Sequence, residues 1–151
     1  MTALLWLLRL GLGALLVASG ALKLGDPAAF AAEIANYHLL PALSPLLAVT
    51  LPPVEIVLGL ALIAGPRPWL RAAALAATLV LAVFTVAVAS VVARGIDVDC
   101  GCFGSASSSP VTMLTVLRDI ALVAAAVAIY GLATRGQRGG ASVTPAAPAR
   151  G

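Results

Sequence analysis

Charge is scarce in this sequence. Asp, Glu, Lys and Arg make up only 10% of its 151 residues, against about 25% in an ordinary soluble domain, so the polar surface that such a domain needs is missing. With two cysteines, Cys100 and Cys102, a small scaffold stapled by several disulfides is excluded. The single histidine, His38, is too little for a histidine-based zinc site, which takes four ligands. Positive charges exceed negative ones by 3 but never exceed two in four positions, so a nucleic-acid footprint has no support. No internal repeat is visible. What remains is apolar: 62% of the residues are hydrophobic, and 14 Gly and 10 Pro accompany them, both residues being commoner in membrane helices than in soluble ones. The mean hydropathy of +1.09 means that the excess faces lipid.

A spanning helix needs roughly 20 mainly apolar residues, and the chain has such stretches from about Ala3 to Leu22, Leu43 to Ala64, Ala72 to Ala93 and Val111 to Ala133. The third, bracketed by Arg71 and Arg94, contains no charge; the first is interrupted only by Arg9, the second by Glu55, the fourth by Arg118 and Asp119. The expected fold is all-α, a polytopic membrane protein in which residues 1–134 form a four-transmembrane-helix bundle. Residues 135–151, rich in Gly, Ala, Pro and Ser, are expected to be a disordered cytoplasmic tail. A cleaved signal peptide competes for the first span, but its apolar stretch is long for one and its only early positive charge lies inside it.

Between the first two spans, Asp26-Pro27 reads as a helix start, and Phe30 and Ile34 recur at helical spacing against Glu33 and Asn36, as in a short helix on the outer surface. Arg67, Arg71, Arg135, Arg138 and Arg150 cluster at one side of the expected bundle, whereas the other connections hold only Lys23 and Arg94. The positive-inside rule then puts both termini in the cytoplasm.

This orientation exposes the connection Asp97-Val98-Asp99-Cys100-Gly101-Cys102-Phe103-Gly104 to the extracytoplasmic, oxidising side, where disulfides form and persist. A bridge across one residue closes a very small ring, which Gly101 tolerates best. Strained or exposed disulfides are the easily reduced ones. Asp97 and Asp99 oppose thiolate formation, while Arg94 and the start of the fourth helix favour it. A static disulfide is the plainer alternative, although so short a loop constrains little chain entropy. Two thiolates binding a soft metal ion is another.

Ionisable groups at membrane depth usually face the bundle interior, find partners and mark function. Glu55 lies roughly 18 Å of helix from Arg67, near mid-membrane. Arg9, on the cytoplasmic half, has a side chain long enough to snorkel. Arg118 lies two turns past Pro110, close to the cysteine connection; Asp119, Glu55 and the loop aspartates are its candidate acceptors, and a thiolate nearby would gain from its charge. Pro52-Pro53 removes two backbone donors, and the carbonyls one turn earlier would line a polar cavity for a quinone or a proton relay.

At these residues the sequence resembles the MauE family of bacterial membrane proteins, relatives of the DoxX group. The matching features are Arg9, Ser19-Gly20-Ala21-Leu22-Lys23-Leu24 with Asp26-Pro27 and Phe30, Asn36-Tyr37 with Leu40-Pro41, Leu51-Pro52 with Glu55, Asp99-Cys100-Gly101-Cys102-Phe103-Gly104, and Arg118. Cys-Gly-Cys-Phe-Gly is the most specific of them; Ser-Gly-x-x-Lys is shared with DoxX-like proteins. The resemblance implies an inner-membrane protein, in some systems required with a thioredoxin-like partner for maturation of a disulfide-rich exported dehydrogenase. Nothing in the residues themselves implies methylamine metabolism.

The resulting expectation is a thiol-disulfide oxidoreductase. Cys100 and Cys102 are the reacting residues, and Gly101, Phe103, Arg118, Glu55, Lys23 and Arg9 support them. The partners are the lipid bilayer and an extracytoplasmic thioredoxin-like protein, and a quinone is the candidate cofactor. The alternatives are a non-enzymatic membrane scaffold or chaperone with a structural disulfide, and a soft-metal-ion transporter.

Overall fold

The computed structural model describes residues 3–96 and 110–138, the side chains of 136–138 excepted. Asp97, Asp99, Cys100, Gly101, Cys102 and Phe103 lie outside the described residues, as does the expected tail from 139 onward, whereas residues 135–138, read as the start of that tail, continue the last helix. The elements are α1 (Ala3–Gly25), α2 (Pro27–Asn36), a single 3-10 turn (Pro41–Leu43), α3 (Ser44–Ala64), α4 (Arg67–Arg94) and α5 (Met113–Arg138). Among them α1, α4, α5 and the unit formed by the 3-10 turn with α3 are each long and apolar enough to cross a membrane. The expected four-helix membrane bundle is thus the fold.

Each long helix buries one stripe and turns a second apolar face outward. On α1 the buried positions are Leu5, Arg9, Leu12, Leu16, Ser19 and Lys23, with Gly13 and Gly20 beside them; steps of four and three are those of a coiled-coil seam. The outward face carries Leu4, Leu7 and Leu10. Such a helix is hydrophobic all round, as a membrane span is, and here the polar side chains are the ones turned inward. Leu62, Leu70, Ala74, Ala77, Ala126 and Ile129 fill the centre of the core.

The passes form a ring in which each packs on the next in sequence and the last returns to the first. α1 packs on α3, α4 packs on α5, and the two pairs meet along the α3–α4 and α1–α5 seams, while α2 lies against α3. α2 starts as expected: Asp26 accepts a hydrogen bond from Ala29 N at 2.9 Å and Pro27 occupies the first turn. The chain then reverses through His38, exposed and at φ 51°. α4 begins at Arg67, before the apolar stretch read from the sequence, because Pro68 is tolerated in a first turn and a terminal arginine can lie at the bilayer surface. It stops at Gly95, whose φ of 63° is left-handed; Ile96 N then bonds back to Val91 O at 3.2 Å, satisfying a carbonyl of the last turn.

Candidate functional site

Glycines set the distance between α1 and α3. A Cβ on Gly13 would stand 2.8 Å from Gly59 O, one on Gly59 would stand 2.6 Å from Gly13 O, and one on Gly20 would stand 2.6 Å from Pro52 O. The backbones therefore touch, as small residues allow between membrane helices. The helices run antiparallel, Gly13 opposite Gly59 and Gly20 opposite Pro52, and Pro52 and Pro53 are accommodated without interrupting α3.

This register brings a buried ion pair together. Helical side chains lean toward their own N-terminus, so on antiparallel neighbours Lys23 and Glu55 lean toward each other. Lys23 Nζ donates to Glu55 Oε1 at 2.6 Å, Ser19 Oγ donates to Glu55 Oε2 at 3.2 Å, and the two charged side chains are 2% and 3% exposed. The ammonium also lies 5.0 Å from the ring centre of Phe30 on α2 and 5.1 Å from that of Phe84 on α4, an arrangement that adds cation–π attraction. Four helices thus converge on one charge. Lys23, read from the sequence as a residue of the outer connection, is instead a buried residue in the last turn of α1.

Arg9 does not snorkel. It is 4% exposed, and its Nε donates to Leu62 O at 2.7 Å while Nη2 donates to Ile63 O at 3.0 Å and Gly65 O at 2.9 Å. The carbonyls at the end of α3 lack intrahelical donors and carry the negative end of the helix dipole, so they are suited to hold the guanidinium. Trp6 covers it, 4.8 Å from ring centre to Cζ. Arg9→Leu is expected to destabilise the bundle by about 3 kcal/mol, since hydrogen bonds from a charged donor contribute about 1.5–3 kcal/mol each. Arg9→Lys should recover only part, because an ammonium cannot reproduce the fork. Reversible denaturation in mixed detergent micelles measures both.

Arg118 finds the first of its candidate acceptors. Its Nε and Nη2 donate to Asp119 Oδ1 at 3.0 and 2.8 Å; Arg118 is 39% exposed at its side chain and Asp119 7%. Asp119 Oδ2 is buried without a hydrogen-bond partner among the described residues. Glu55 is committed to Lys23 and Ser19.

A cavity of about 410 Å³ lies between α2, α3 and α4. Phe30 and Phe84, the rings against Lys23, form part of its wall, and only Glu33 and Tyr37 among its lining residues are polar. The polar cavity expected from Pro52-Pro53 is therefore absent from this lining: Leu47 and Leu51 face the cavity from α3, whereas Ala48 is buried and Val49 exposed. Arg94 Nη2 donates to Tyr37 O at 2.6 Å. This bond fastens the end of α4, from which the cysteine-bearing connection departs, to the cavity rim.

Sequence reasoning found Arg9, Glu55 and Arg118 but missed the structural place of Lys23, the ring pair Phe30 and Phe84, and the glycine seam. The available signal was the spacing Arg9, Leu12, Leu16, Ser19, Lys23, a single helical stripe that carries the first span's polar residues.

Comparison with known proteins agrees with this architecture. The family model described as methylamine utilisation protein MauE matches residues 1–132. The methylamine utilization protein MauE of Paracoccus denitrificans is 40% identical over 127 residues, covering 83% of this chain and 67% of that protein. No solved structure matches. With the match extending across all four spans, the chain belongs to the MauE family of membrane proteins.

Proposed function

We propose that this protein is an integral membrane thiol-disulfide redox protein. Cys100 and Cys102 relay electrons to or from an extracytoplasmic thioredoxin-like partner, in support of the maturation of exported proteins. The observation that carries the reading is the placement of the chain's only cysteines, separated by Gly101, in the connection between α4 and α5. A bacterial inner membrane with both termini cytoplasmic places that connection outside. Burial of Lys23 supports this orientation, because it removes a positive charge from the outer connections and leaves Arg67, Arg71 and Arg135 opposed chiefly by Arg94.

In the exchange, one cysteine thiolate attacks a partner disulfide. A mixed disulfide forms as the partner's S–S bond breaks, and the partner's second sulfur leaves as a thiolate. The other cysteine then attacks the mixed disulfide, closing a Cys100–Cys102 bond and releasing the partner as a dithiol. The reverse sequence oxidises the partner. The Paracoccus relative's name concerns methylamine utilization; for this chain the client is proposed only as an exported protein with cysteines to be paired.

Removing the resolving thiol should arrest the exchange. Cys100→Ser or Cys102→Ser is expected to accumulate a reductant-sensitive adduct with a thioredoxin-like protein, visible on non-reducing gels of membranes from acid-quenched cells and absent from the double variant. If neither single variant forms an adduct at normal membrane abundance, the relay is wrong and the pair is structural.

A further inference from the structure

We propose that the cavity between α2, α3 and α4 binds a lipid-soluble quinone, with its ring against Phe30 and Phe84 and its isoprenoid tail toward the bilayer. This deepens the relay reading, on which its redox meaning rests, by naming the membrane carrier and its place.

The lining selects the chemical class. From α4 the cavity receives Leu79, Val83, Phe84 and Ala87, residues of successive turns on one side of the helix, so its long wall suits a hydrocarbon. Among the described residues α2 and α4 do not pack closely on one another, although both adjoin α3. The gap between them is a lateral opening that lipid-soluble molecules can use. Its volume, about 410 Å³, lies within the roughly 300–1,000 Å³ of small-molecule sites.

The charge distribution disfavours an acyl lipid. No Lys or Arg lines the cavity; a phosphate or fatty-acid carboxylate inside it would be desolvated among apolar side chains, the nearby Arg94 being bonded to Tyr37 O at the rim. Lys23, behind the aromatic wall, is already bound to Glu55. A neutral head group fits better. Phe30 and Phe84 both line the cavity, and aromatic rings favour offset or edge-to-face contact with another ring, which a quinone ring can supply.

Chain connectivity links the cavity to the redox pair. The Arg94–Tyr37 bond ties the cavity rim to the end of α4, and the chain continues from Gly95 toward Cys100 and Cys102. The exchange balances as dithiol plus quinone giving disulfide plus quinol: two electrons and two protons leave the thiols, one S–S bond forms, and each quinone oxygen gains a proton. It can run in either direction.

The test uses the full chain in phospholipid nanodiscs and an azido-ubiquinone with one isoprenoid unit as photoprobe. Labelling is expected in the peptides containing Phe30 and Phe84, with at least tenfold displacement by excess decylubiquinone and little by palmitate. Ala87→Trp and Leu79→Trp, which fill the cavity at different levels, should each reduce labelling about tenfold in protein with unchanged helicity and elution. The more conservative Ala87→Val should have an intermediate effect. Labelling confined to other helices, equal displacement by palmitate, or labelling unaffected by both tryptophan variants overturns the assignment. Cys100→Ser and Cys102→Ser should keep the label. A retained label without a partner adduct would therefore sink the relay and leave the quinone site standing, while an adduct without cavity labelling would do the reverse.

Discussion

Glu55→Leu alone should destabilise the folded bundle by about 3–5 kcal/mol, the range found when one member of a buried ion pair is removed. Lys23 would be left in a site with 2% exposure without its carboxylate partner. Lys23→Leu should cost a similar amount, for it strands Glu55 with Ser19 as its remaining side-chain donor among the described residues. The double variant Lys23→Leu/Glu55→Leu should be much less damaged than the sum of the single effects, because replacing both ions by apolar groups is often neutral or stabilising. Denaturation of the four proteins in mixed micelles completes the cycle. Additive losses would show that the two charges do not depend on each other, contrary to the 2.6 Å contact. The double variant also separates packing from chemistry: if it folds but no longer supports partner oxidation or reduction, the pair does more than hold α1 to α3.

Gly59→Leu should be the most damaging single change on the α1–α3 seam. Overpacking commonly costs about 1–3 kcal/mol, and the upper end applies here because the first obstacle is backbone. A Cβ at Gly59 stands 2.6 Å from Gly13 O and 3.0 Å from Val17 N; neither atom can rotate away, so the helices must separate. Separation also lengthens the Lys23–Glu55 contact. Gly59→Ala should be damaging in the same direction by a smaller amount. Gly11→Ala and Gly131→Ala supply the controls: nothing lies within 4 Å of either new Cβ, and in a helix Ala is favoured over Gly by about 0.5–1 kcal/mol. Thermal denaturation in detergent should therefore move the seam and control variants in opposite directions. Equal tolerance at Gly11 and Gly59 would contradict the close approach.

The spans were legible because a lipid-facing helix must be apolar over its full length whatever it packs against. The buried charges were legible only in part. Glu55, alone among apolar neighbours, announces itself; Lys23, three residues before Asp26-Pro27, has the surroundings of a loop residue. Its burial follows from the Arg9–Ser19–Lys23 stripe and from an acceptor on another helix. Arg9 is buried rather than reaching water, because its acceptors are helix-end carbonyls, which hydropathy does not register. The cavity was less legible still, since it arises where α2 lies over α3 without closing on α4. The cysteine pair lies outside the described residues, and its proposed chemistry rests on spacing and on the compartment inferred for it.

The clamp at the end of α3 constrains the order of events during biosynthesis. Arg9 and its acceptor Leu62 are 53 residues apart, a delay of roughly 3–11 s at about 5–20 residues per second. Lys23 and Glu55 are separated by 32 residues, or roughly 2–6 s at the same speed. Until those segments leave the ribosome, the first helix carries two cations with no built partner. It must linger at the insertion machinery or the bilayer surface, and release into hydrocarbon before α3 arrives would strand it. Slowing translation between codons 24 and 62 should therefore increase degradation of the nascent chain, and Arg9→Leu should relieve that sensitivity even while it weakens the finished protein.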